Sequence, residues 1–98
     1  MKITISDQAQ QWFEDELGIP EGYGIRFLGK VYGKTEIHEG FSVAMNVEEP
    51  GGDLLASTTK GGILYFINHS DEWFFSGHDL EVDFDQEREE PIYHFHEQ

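Results

Sequence analysis

Two stretches of the chain alternate apolar and polar residues with a period of two, and that alternation limits its fold more than any other feature. Phe41, Val43, Met45 and Val47 are separated by Ser42, Ala44 and Asn46, and Leu80, Val82 and Phe84 are interleaved with Asp79, Glu81, Asp83 and Asp85. Successive side chains of a strand point to opposite faces, so both stretches read as strands with one side covered. Helical spacing is confined to Ala9, Trp12, Phe13 and Leu17. Ser6 offers that helix an N-cap oxygen, Asp7 suits its first turn, and Gly18 before Pro20 ends it. An all-helical fold is excluded.

The rest of the chain continues in strands punctuated by glycine. Ile3 and Ile5 mark a short first strand, and Gly24 to Tyr32 a second with Ile25, Phe27 and Val31 on one face. Pro50-Gly51-Gly52 marks a turn before a strand around Leu54 to Thr58. After Gly61-Gly62, the unbroken apolar run Ile63 to Ile67 reads as a strand buried on both faces. Asn68 or Ser70 caps a short helix through Trp73, Phe74 and Phe75 that Gly77 ends, and Ile92 to His96 forms a last strand. The order β-α-β-β-β-β-α-β-β gives an α+β class, mostly antiparallel sheet with two helices.

Composition decides whether this pattern folds. Twenty acids against six bases give a net charge of −14 on 98 residues, which by itself suggests disorder. Ile, Leu, Val and Phe make up 26 of the 98, above the roughly 20% below which a highly charged chain stays unfolded. Residues 1–98 therefore form a single domain, with no room for two domains and a cleft between them. The acidity is uneven: residues 61–98 hold ten acids and one base, Arg88. A pI near 4.4 weighs against nucleic acid and against anionic membrane surfaces, and favours a cationic partner such as a basic protein, metal ions, or plain solubility. With zero cysteine, disulfides, thiolate metal sites and thiol nucleophiles fall together. No apolar run nears the roughly 20 residues of a membrane span, and Met1 to Ser6 lacks a signal-type apolar core, so a cytoplasmic location is expected.

Three constellations invite a chemical reading and do not sustain it. Gly29-Lys30-Val31-Tyr32-Gly33-Lys34-Thr35 approaches a phosphate loop, but Leu28 stands where the first glycine belongs. Acidic residues and Gly40 follow where the loop needs a helix. His69-Ser70-Asp71 places three hydrolase residue types in a row, whereas a triad is a spatial line that three successive side chains cannot form; helix capping accounts for Ser70 and Asp71. The ladder Asp79, Glu81, Asp83, Asp85 strings carboxylates about 7 Å apart rather than converging them on a cation. It reads as a solvated face that discourages edge pairing.

The histidines carry more. His94 and His96 alternate with Tyr93 and Phe95, so both imidazoles leave one strand face. Two imidazoles so placed can share Fe²⁺ or Zn²⁺, with a third ligand drawn from His38, Glu36, Glu39, Glu97 or Gln98.

The order of features resembles the HesB/IscA-type family, the A-type carriers of iron–sulfur cluster biogenesis. The likeness rests on Ile3-Thr4-Ile5-Ser6-Asp7-Gln8-Ala9, on Gly24-Ile25-Arg26-Phe27 and on Gly40-Phe41-Ser42. Gly62-Ile63-Leu64-Tyr65-Phe66-Ile67, Gly77 and Leu80-Glu81-Val82-Asp83-Phe84 extend it over nearly the whole chain. The resemblance implies a HesB/IscA-like fold: a β-rich sandwich or barrel-like mixed sheet, an N-terminal helix and one short later helix. That family's cluster ligands are a loop cysteine and a C-terminal Cys-Gly-Cys. His38 stands at the first position, and the chain ends before the other two. Because the family brings these positions together, the resemblance implies that His38 approaches His94 and His96, giving a three-histidine metal site. It also allows a homodimer. The expected function is non-enzymatic: an auxiliary protein of iron or cluster metabolism with weak histidine-based metal binding. The alternative is an acidic protein-interaction module with neither metal nor cluster.

Overall fold

Ser6 closes the first strand and opens the first helix, as its hydroxyl and backbone together require. Its N–H donates to the Val82 carbonyl at 2.9 Å, and its Oγ accepts from the Ala9 N–H at 3.1 Å. The computed structural model describes residues 1–31, 33, 35, 37 and 40–98. Strand β1 spans Ile3–Ile5 and helix α1 Asp7–Glu16, which ends at Leu17 in an extended conformation one residue before Gly18. There follow β2 (Gly24–Lys30), β3 (Ser42–Glu48), β4 (Leu54–Lys60) and β5 (Ile63–Asn68). A 3₁₀ turn at His69–Asp71 leads into α2 (Glu72–Phe75), then β6 (His78–Asp85) and β7 (Glu90–Glu97).

The strands form two mixed sheets in which most of the pairing is antiparallel, as expected. One runs β1-β6-β7 and the other β3-β2-β5-β4, with no closed barrel. The β1–β6 and β2–β5 pairs are parallel, and the other three pairs are antiparallel. Period-two patterning shows which side of a strand is covered and says nothing of direction. Parallel neighbours need long crossovers: β1 reaches β6 through the whole middle of the chain, and β2 reaches β5 by way of β3 and β4, which lie at opposite edges of their sheet.

One core lies between the sheets. Ile3 and Ile5, Phe13, Ile25 and Phe27, Tyr65 and Ile67, Leu80 and Val82 all bury into it. Phe27 and Tyr65 stack with centroids 6.1 Å apart, Phe13 meets Phe27 edge-on at 6.2 Å, and Phe27 reaches Tyr93 of the opposite sheet at 5.9 Å. The expectation for Ile63 to Ile67 holds: Tyr65 and Ile67 face this core while Phe66, equally buried, lies outside it beside Gly24. Gly29 is where α2 closes down on the sheet, since a Cβ there would fall within the Phe74 ring. Among the described residues, no helix is long and apolar enough to cross a membrane.

The two sides of the sandwich differ. On one, the Lys60 ammonium at the end of β4 donates to the Ile5 carbonyl and pairs with Asp7 Oδ1, both at 2.7 Å, clasping β4 to β1 and α1. That pairing holds the Asp7 carboxyl below the usual carboxylate range. On the other side β3 and β7 stay apart.

Candidate functional site

Antiparallel pairing of β6 with β7 assembles the outer face that the sequence marks as chemical. Glu81 lies opposite His94 and Asp79 opposite His96, while Leu80, Val82, Tyr93 and Phe95 turn inward. His96 Nε2 meets Glu81 Oε1 diagonally at 2.8 Å. Asp79 Oδ1 accepts from the Lys2 N–H at 2.8 Å, and Asp83 Oδ1 from the Phe84 N–H at 2.8 Å. Asp85 leaves the ladder for the β6–β7 turn, where its Oδ1 accepts from the N–H groups of Glu87 and Arg88 at 3.0 and 3.2 Å.

The ladder does not guard a sheet edge, because β6 is the central strand of its sheet. Glu81 instead contacts His96 of β7 within the sheet, a cross-strand pairing that a strand read by itself does not reveal.

His94 and His96 thus share a face as expected, whereas His38, Glu36 and Glu39 lie outside the described residues. Among the described residues, no group of three or more His, Asp or Glu side chains could hold a metal ion. An iron–sulfur cluster asks for thiolates. The chain supplies none, only imidazoles and carboxylates, so its donor set does not fit a cluster.

Two further pairings depend on tertiary contact. Asp71 stands at the N-cap position of α2, but its side chain makes no capping bond and is buried against Arg26, with Oδ2 2.8 Å from Nη2. Glu48 takes Nη1 of the same guanidinium at 3.2 Å, and these contacts, Asp71 foremost, raise the Arg26 pKa above its ordinary value. The sequence signal was available, since an arginine between Ile25 and Phe27 in a buried strand demands an acid. His69 Nδ1 sits 2.6 Å from Asp53 Oδ1, so His69 and Asp71 face separate partners and no catalytic line forms.

An open groove of about 640 Å³ lies on the unclasped side, between Ser42–Met45 of β3 and Glu90–Tyr93 of β7. Trp12, Val43, Met45, Ile92 and Tyr93 make it largely apolar, with Lys30 and Glu90 among its lining residues. Burial, with Glu90 adding to it, pushes the Tyr93 hydroxyl up to about 12.

This architecture is the HesB-like fold. The crystal structure of Escherichia coli SufA, involved in biosynthesis of iron–sulfur clusters, superposes with a TM-score of 0.60 at 19% identity, covering 99% of this chain and 86% of that one. No protein-family model matches the chain. Its sequence relatives include the pyruvate dehydrogenase inhibitor of Bacillus subtilis, 30% identical over 95 residues that cover 97% of this chain and 99% of the inhibitor. An uncharacterised protein of Staphylococcus haemolyticus is 32% identical over 93 residues, covering 89% of this chain and 93% of that protein. The chain belongs to the family of this inhibitor and its staphylococcal relatives.

Proposed function

We propose that the chain is a non-enzymatic, cytoplasmic protein-interaction module that binds a pyruvate dehydrogenase complex and restrains its activity. The end-to-end likeness to the Bacillus subtilis inhibitor carries this reading. The exposed chemistry supports it: an acid-and-imidazole sheet face and an apolar groove are surfaces for contacting another protein. A net charge of −14 favours a basic docking surface on the partner and contacts that weaken as salt screens them. The test is pyruvate-dependent reduction of NAD by the purified complex of Bacillus subtilis, with this chain titrated in. Saturable inhibition that weakens with added salt is expected; an unchanged rate at a tenfold molar excess would overturn the proposal.

A second reading keeps the fold's other association, an auxiliary role in iron or cluster metabolism with metal held by His38, His94 and His96. The SufA-like fold and the two imidazoles on one strand face support it. Titration with Fe²⁺ and with Zn²⁺, repeated on His38→Ala and on His94→Ala/His96→Ala, separates the two readings. Binding no tighter than millimolar would remove the metal, and binding that survives every substitution would move the site elsewhere.

A further inference from the structure

Four strands lie at the outer positions of the two sheets, and three of them are protected. β1 has only three residues and is clasped toward β4 through Lys60. β4 carries a register shift between Leu54 and Ala56 and ends on that lysine. β7 contains Pro91, which has no N–H to offer, and begins and ends on glutamates. Among the described residues, β3 has none of these devices. Its seven residues pair with β2 in unbroken register, without proline, and carry no charge before Glu48. A long, uncharged, regular edge is a template for another strand.

The side chains of β3 point to the same conclusion. Val43, Met45 and Val47 lie opposite Gly29, Phe27 and Ile25 and so face the core side of the sheet, yet all three are only half-buried. Among the described residues, the sandwich opens here into the groove, whose far wall is Trp12, Ile92 and Tyr93. Among the described residues β3 therefore has no strand on its outer side, and it borders an apolar trough.

We infer that β3 takes up an extended segment of a partner protein as an added strand, apolar at its centre and basic at its flanks. This deepens the protein-interaction reading by naming where the partner docks. Alternate side chains of the segment fill the groove over Val43 and Met45. Its basic flanks meet the exposed Glu49 just beyond β3 and the exposed Glu89 and Glu90 at the start of β7. A second copy of this chain is the weaker occupant, because two bodies each carrying −14 repel, whereas a cationic segment is drawn in.

Amide hydrogen exchange read residue by residue tests this directly. The probe is a synthetic peptide of alternating Val and Thr with two lysines at each end. Two controls are the same peptide N-methylated at alternate amides and a version with glutamates at the ends. The lysine-flanked peptide should slow exchange of amides within Ser42–Val47 by at least roughly tenfold. N-methylation should abolish the effect, and the glutamate ends should weaken it. Unprotected β3 amides, protection confined to β6 or β7, or protection that grows with protein concentration in the absence of peptide would each overturn the inference. Enzyme inhibition that persists while β3 amides stay unprotected by the peptide would remove this docking site and leave the functional reading standing.

Discussion

Replacing Asp71 by alanine strips Arg26 of its shortest contact, at 2.8 Å, in a place where only 18% of the arginine side chain and 9% of the aspartate side chain reach solvent. Removing one partner of a fully buried pair costs roughly 3–5 kcal/mol, because the remaining charge is left without solvent or counter-charge. An exposed pair is worth about 0–1 kcal/mol. Arg26 falls between these limits, since Glu48 stays at 3.2 Å with a third of its own side chain exposed. The expected loss is therefore about 2 kcal/mol, a fall in Tm of about 8–16 °C for a domain of this size. Urea unfolding followed by the fluorescence of Trp12 and Trp73 measures it, with the slope of the transition unchanged. The pair as a whole is a weaker source of stability than its disruption suggests, so Arg26→Met/Asp71→Leu should recover most of the loss. A loss below about 0.5 kcal/mol for Asp71→Ala, or a double variant as unstable as the single one, would refute the reasoning.

Three other outcomes follow from the same packing. Gly29→Ala forces a methyl into the Phe74 ring, and thermal unfolding should show a loss of about 1–3 kcal/mol, whereas Gly51→Ala, in open space, should be nearly neutral. Ser6→Ala removes the α1 cap and should cost about 1 kcal/mol in the same assay. Burial pushes the Tyr65 hydroxyl up to about 12 from its ordinary 10, so the folded state holds that proton while the unfolded chain releases it. Stability from this group is fully present below pH 10 and falls as pH rises from 10 toward 12; Tyr65→Phe should flatten that fall, and an unchanged alkaline slope would count against it.

Element order was legible along the chain because it is a local property. The Ser6 cap, the two alternating strands, the apolar run of β5 and the glycine at the end of α2 each act within a few residues, and the folded chain keeps them in the expected sequence. The edge role expected of the acidic ladder and the capping role expected of Asp71 fail for one shared reason. The surroundings of Glu81 and Asp79 are set by β7, and those of Asp71 by Arg26, 45 residues away in sequence. Spacing along the chain holds no record of either neighbour.

By itself the sequence determined that this chain takes an α+β fold, that it is strongly anionic and that it offers no thiolate, because composition and periodicity act regardless of long-range contacts. Only the tertiary structure decided that the strands divide into two mixed sheets and that Arg26 is neutralised from two directions. It also decided that one side of the sandwich is clasped by Lys60 while the other leaves β3 open beside a groove. Those outcomes turn on strand direction and on which edges meet, and both are settled by how distant segments share a single core.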